Sequence, residues 1–277
     1  MGEQQERALF FSRFSPESKE ILALTQEYGG CGRAGSSTLW EMTFPTLGII
    51  DLSSGQLCTD ACQLCWQLTE TERQTKEQIF DLQSLSIYRL RVRESLPTSQ
   101  LPQGRSLCVV EVLERDCQDP QLTQLLTAYQ TPVLLEVCGC SPLVLDKSLH
   151  LFCGEGKWAG KDCLIYLEAD ASQTADAARN TLQSLLTDDT DWDQKARRFA
   201  ASVLTECAND WQDDEAEDSS DITEDEFAAR ISIREISICS QDGAFELYYD
   251  DDDLFWGHVI LVSGHLTDGF SDAVIAG

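Results

Sequence analysis

The sequence predicts an α+β protein in which a β-rich N-terminal domain precedes a C-terminal domain of antiparallel strands packed with two to three helices. Three observations carry that reading. Five short extended runs rich in β-branched and aromatic residues lie before Glu114. Trp192, Ala196, Phe199, Ala200, Val203, Leu204, Cys207 and Trp211 form one apolar stripe at helical spacing. The chain then closes with further extended runs parted by polar turns. At 277 residues it is long enough for two ordinary domains with real cores.

In order, residues 1–14 read as a loose N-terminus, residues 15–135 as the β-rich domain and residues 136–277 as the α+β domain, with the boundary near residues 130–142. Ser15-Pro16-Glu17 has the cap, first-position proline and early acid of a short helix or turn before Ile21 to Thr25. The five extended runs are Thr38 to Thr43, Leu47 to Leu52, Gln63 to Leu68, Leu85 to Arg93 and Leu107 to Leu113. Ser53-Ser54-Gly55 makes a turn, and a helix over Gln121 to Tyr129 closes the domain. Beyond it, Val144 to Leu151 and Asp162 to Glu168 are strands around a turn at Cys153-Gly154-Glu155-Gly156. Two helices follow, the first over about Ser172 to Leu186 and the second along the apolar stripe. Thr223-Glu224-Asp225-Glu226 is a capping box for a short helix carrying Phe227. Strands at Ile231 to Cys239, Ala244 to Tyr249 and Trp256 to Ser263 end the chain, joined by Gln241-Asp242-Gly243 and an aspartate run.

The balance of 48 acidic against 20 basic residues, a formal charge of -28, disfavours nucleic acid and anionic membrane surfaces as partners. A macromolecular partner is expected to be a neutral or basic protein. Met1 to Phe14 lacks the basic region and apolar run of a signal peptide, and Glu6 stands where a myristoylation motif needs Ser or Thr. No apolar run approaches the ~20 residues that span a bilayer. These features predict a cytoplasmic protein, whose twelve cysteines are mostly reduced, small core residues.

Three segments suggest chemistry. Gly30-Cys31-Gly32-Arg33-Ala34-Gly35 spells a dinucleotide fingerprint, but Ser36 to Phe44 is extended in character where a phosphate-holding helix should begin. An interstrand loop is the better reading, and no cofactor is expected. Cys58, Cys62 and Cys65 have the spacing that holds three irons of a four-iron cluster, and Cys31 or Cys138-Gly139-Cys140 offers a fourth zinc ligand. The strand-rich surroundings lack the alternating βα units of cluster enzymes, which favours plain reduced thiols. Asp250, Asp251, Asp252 and Asp253, with Trp256 and His258, are the most distinctive group. Carboxylates and an imidazole suit a hard cation or acid–base work. The better reading is a solvated hairpin loop, with Phe255 and Trp256 entering the core and His258 hydrogen-bonded on a strand. His150 and His265 stand alone, and the acidic run Asp213 to Asp221 reads as a mobile loop or as a decoy for a basic surface.

The C-terminal segments Phe245-Glu246-Leu247-Tyr248-Tyr249 and Leu254-Phe255-Trp256-Gly257-His258-Val259-Ile260, with Gly269, Ala276-Gly277, Asn209-Asp210-Trp211 and Thr223 to Phe227, resemble the bacterial domain-of-unknown-function family 2262. Gly29 to Ser37 before Leu39-Trp40, and Ile87 to Arg93, look like the companion domain that often precedes it. The resemblance implies a bacterial cytoplasmic protein and carries over no activity, ligand or catalytic residue. The expected function is therefore a non-catalytic interaction protein, of the kind that neutralises a basic toxin or effector. The rival is a metal-dependent hydrolase using Asp250 to Asp253 with His258, or a cluster enzyme using Cys58, Cys62 and Cys65. A third reading, a small-ligand module with a β-rich pocket, has no residue pattern that tests it.

Overall fold

The computed structural model describes residues 2–75, 80–97, 105–211, 221–239 and 242–277, which divide into two compact units, Met1–Thr131 and Pro132–Gly277. The first unit holds α1 (Glu3–Phe11), β1 (Phe14–Thr25), β2 (Gly30–Gly32), β3 (Trp40–Asp51), β4 (Gln56–Cys58), β5 (Cys62–Leu68), α2 (Glu70–Gln74), β6 (Ile87–Ser95), β7 (Arg105–Glu114) and α3 (Pro120–Gln130). The order β1-β6-β7-β5-β3 closes on itself because β3 also pairs β1, and only β5 and β7 run parallel. That connectivity is the five-stranded Greek-key barrel of the OB type. Alternation along each strand sends Ile21, Leu64, Trp66, Leu68, Leu90, Val92 and Leu107 into the barrel core.

Two readings of the N-terminus are corrected. Glu3–Phe11 is helical, and Phe10 and Phe14 bury against Cys65 and Cys108 on the barrel wall. Packing thus orders a segment whose own composition is polar. Ser15-Pro16-Glu17 belongs to β1, because Pro16 falls in a register shift between Phe14 and Ser18 where no ladder donor is required. The runs at Thr38 and Leu47 are one strand. Trp40 to Thr46 of that strand pairs β5, while Thr46 to Asp51 pairs β1, so Pro45 sits where β3 turns the barrel corner. α3 begins as expected, with the Asp119 carboxylate accepting from the amides of Gln121 and Leu122.

The second unit holds β8 (Leu134–Leu135), β9 (Leu143–Asp146), β10 (Leu151–Trp158), β11 (Lys161–Glu168), α4 (Asp176–Leu186), α5 (Asp189–Asp210), α6 (Glu224–Arg230), β12 (Ser232–Ile238), β13 (Ala244–Asp250), β14 (Val259–His265) and β15 (Gly269–Ala276). Their order in one sheet is β15-β14-β13-β12-β11-β10-β9-β8. All neighbours are antiparallel except β11 and β12, which the three helices connect. Helix and sheet residues share a single core that includes Leu182, Leu185, Ala200, Leu204, Phe227, Ile236 and Leu247. The α6 capping box forms in full, with the Thr223 hydroxyl accepting from the Glu226 amide and Glu226 accepting from the Thr223 amide.

Two further corrections concern this sheet. Cys153 to Gly156 is not a turn but the middle of β10. A side chain at Gly154 would collide with Leu143, and one at Gly156 with Ile165 and Cys140, so these glycines serve close approach rather than chain reversal. The closing strand β15 adds an edge that the sequence reading did not include, because Gly269 to Ala276 mixes small and polar residues and takes its extended form from pairing with β14.

Candidate functional site

The aspartate run begins at the end of β13 and continues into the connection to β14. Its carboxylates separate. Asp250 faces Arg234 at 3.7 Å, and Asp252 pairs with Arg230 at 2.8 Å. Asp251 turns inward and is only 4% exposed. One of its oxygens accepts from the amides of Phe255 at 2.6 Å and Gly257 at 3.1 Å, and the other from that of Asp253 at 3.3 Å. A side chain is here standing in for a backbone ladder, and it folds the loop round itself.

That fold is strained. Asp252, Asp253 and Trp256 have φ of 49°, 60° and 58°, the left-handed region in which a bulky residue is an outlier. Phe255 enters the core as expected, fully buried against Trp211 and Phe227, and Leu254 is buried beside it. Trp256 does not. It is 75% exposed and leans on Trp211 with ring centroids 5.1 Å apart. His258 precedes β14 rather than lying on it and meets Trp211 edge-on at 5.8 Å. No hydrogen bond is formed by its ring among the described residues. The expected solvated loop is therefore corrected in three places: Asp251 is buried, Trp256 is presented to solvent, and His258 is held by ring contact. Trp256 and His258 meet round Trp211, whereas the carboxylates diverge.

The thiols also diverge. Cys58 lies on β4 with its sulfur 3.6 Å from Asp60. Cys62 and Cys65 are three apart on β5, so they project to opposite faces, one into the barrel core and one beneath α1. Burial pushes the Cys62 thiol up to about 11 and Cys65 higher still, which keeps both protonated and poorly ligating at neutral pH. All twelve cysteines are free, five of them buried. Cys138 and Cys140 belong to the other unit. The residues Gly30 to Gly32 form β2, paired to β3, which corrects the interstrand loop expected there, and no helix opens after Gly35. Among the described residues no three His, Cys, Asp or Glu side chains are grouped to hold a metal ion. Of the acidic run Asp213 to Asp221, only Asp221 lies within the described residues.

One constellation escaped sequence reasoning. Asp193 on α5 is 6% exposed, and one oxygen accepts from Trp158 Nε1 and from the Tyr249 hydroxyl, both at 3.1 Å. Its other oxygen pairs with Arg197 at 2.8 Å, and Arg197 also donates to the Ala228 carbonyl. Burial, and then the neighbouring Asp193 charge, raise Tyr249 well above its ordinary value, so it remains a phenol and a donor. The signal available was an acid in register with Ala196, Ala200 and Leu204 on the buried face of α5, with a basic residue one turn on. A cavity of about 240 Å³ lies beside this network, bordered by Lys161, Gln194 and Ser232. Three donors already occupy the carboxylate, which fastens α5 to β10 and β13.

No helix among the described residues is long and apolar enough to cross a membrane. No curated protein matches the chain. Residues 6–129 match the model of DUF7021, a domain of unknown function, and residues 140–275 match that of DUF2262, described as an uncharacterized protein conserved in bacteria. The C-terminal half of this chain thus belongs to the bacterial DUF2262 family, joined to an N-terminal DUF7021 domain.

Proposed function

We propose that this is a non-catalytic interaction protein of the bacterial cytoplasm that binds a basic protein through the Asp250 to His258 loop, in the manner of a factor that neutralises a toxin or effector. The observation that carries the reading is Trp256, 75% exposed on a strained loop that the buried Asp251 holds in place. A large aromatic presented on a rigid support loses little entropy on docking, and such residues dominate interface energetics. Left-handed backbone at three non-glycine positions persists only where surrounding contacts enforce it, and such strain gathers at functional loops. The partner's chemistry follows from charge. A formal charge of -28 repels nucleic acid and attracts a basic protein, and an arginine or lysine of that protein gains a cation–π contact on the open indole face.

The test is affinity capture from native bacterial lysate at low salt, with the intact chain and with Trp256→Ala. A stoichiometric basic partner that the variant loses, and whose retention falls steeply with salt, is the expected result. If the intact chain retains no such partner, or the variant retains it equally, the reading fails.

A further inference from the structure

We propose that the DUF7021 unit carries a separate binding site for a small neutral heterocycle with a cis-amide edge, in the cavity between α1 and the outer wall of the barrel. This cavity, open on one side to solvent, has a volume of about 360 Å³, within the range of roughly 300–1,000 Å³ typical of small-ligand sites. It is walled by Leu9, Phe10 and Arg13, by the 34–37 segment, and by Glu41 of β3 and Gln67 of β5.

Part of the wall is fixed in advance. Glu6 is 9% exposed, and its carboxylate accepts from the Ser37 hydroxyl at 2.7 Å and from the amides of Thr38 and Leu39. These bonds, that from Ser37 foremost, hold Glu6 below its ordinary value and tie α1 to the rim. Arg13 pairs with Glu41 at 2.8 Å and lies 4.5 Å above the Phe10 ring, giving a flat wall.

Two polar atoms on this wall are unsatisfied. Arg13 Nε and Gln67 Oε1 are shielded from solvent and have no hydrogen-bond partner. Each such group carries an uncompensated desolvation cost, so a ligand that supplies a partner recovers binding energy there. One group needs an acceptor and the other a donor. An adjoining C=O and N–H on one edge of a ring provide both, once small rotations that keep the Arg13–Glu41 pair bring these two atoms to the cavity surface. Charge sets the rest. The Glu6 oxygens are taken up by Ser37, Thr38 and Leu39, and Glu41 is neutralised by Arg13, so a charged ligand would lose its hydration without gaining a counter-ion. An anion would in addition oppose the net charge of the chain. Leu9 and Ala34 offer apolar contact to the faces of a ring.

The test is an NMR titration of the nitrogen-labelled full chain with uracil, compared with N,N′-dimethyluracil, which keeps the ring and acceptors but has no N–H. Saturable shifts confined to α1 and the 34–37 segment are expected for uracil, with the dimethyl compound binding about tenfold more weakly for the loss of one donor. Gln67→Leu is expected to weaken uracil to a similar degree, while Trp256→Ala leaves it unchanged. Absence of saturable shifts, equal binding of the two compounds, or a folded Gln67→Leu chain that binds uracil normally would each overturn the assignment. If that variant does not fold, the comparison of the two compounds on the native chain decides.

Discussion

Replacing Asp193 by asparagine and by alanine separates the two parts this carboxylate plays in the DUF2262 unit. Trp158 and Tyr249 both donate to one oxygen, whereas Arg197 reaches the other. Asparagine keeps a carbonyl for the first two donors and turns an NH₂ group towards the guanidinium. The loss is one charge-assisted bond, about 1.5–3 kcal/mol. Alanine also orphans two buried donors and leaves the arginine charge unpaired, which raises the loss to about 3–5 kcal/mol. The side chains of Arg197 and Asp193 are 30% and 9% exposed, so removing the cation by Arg197→Met costs less than removing the anion. In urea, with a slope of about 2 kcal/mol per molar, the midpoint falls by roughly 1 M for Asn and 2 M for Ala. Amide exchange in α5 assigns the change to this unit. An alanine variant within about 0.5 kcal/mol of the parent, or asparagine as damaging as alanine, would refute the idea that this buried acid anchors α5.

Three other outcomes are expected. Ser53 and then Lys19 hold the Asp51 carboxyl down to about 2, and Arg73 and then Trp40 do the same for Glu70, so both groups stabilise the barrel unit above pH ~4. That contribution is lost as pH falls towards about 2, and an acid titration by circular dichroism of the parent against Asp51→Asn should show a shallower decline in the variant. Asp251→Ala removes the acceptor of three loop amides, and hydrogen exchange at Phe255 and Gly257 should quicken by about tenfold or more while α5 is unaffected. Alkylation of the native chain should modify Cys31, Cys138 and Cys239 first and leave Cys62, Cys65 and Cys108 protected, as mass mapping of the peptides would show.

What could be read from the residues was what each segment does by itself. The α5 stripe, the α6 capping box, the Asp119-Pro120 helix start and the alternation of Gln63 to Leu68 are local patterns, and each stands in the structure within a few residues of its expected bounds. Family resemblance in both halves was legible for the same reason, since motifs are strings. The misreadings share one cause. At Pro16, at Gly154 and Gly156, and in Glu3 to Phe11, a local preference was overruled by a neighbour distant in sequence: the bulged ladder of β6, the side chains of Leu143 and Ile165, and the thiol-lined wall of the barrel.

The candidate site shows the same division. Composition alone determined the charge, because net charge is a sum that folding does not alter. Which aspartate lies buried, which pairs with arginine, and that Trp256 faces outward while Phe255 fills the core were decided only by tertiary structure. Four adjacent aspartates are chemically identical in the chain. They become different through the amides of a loop that closes round one of them and through two arginines on α6 and β12.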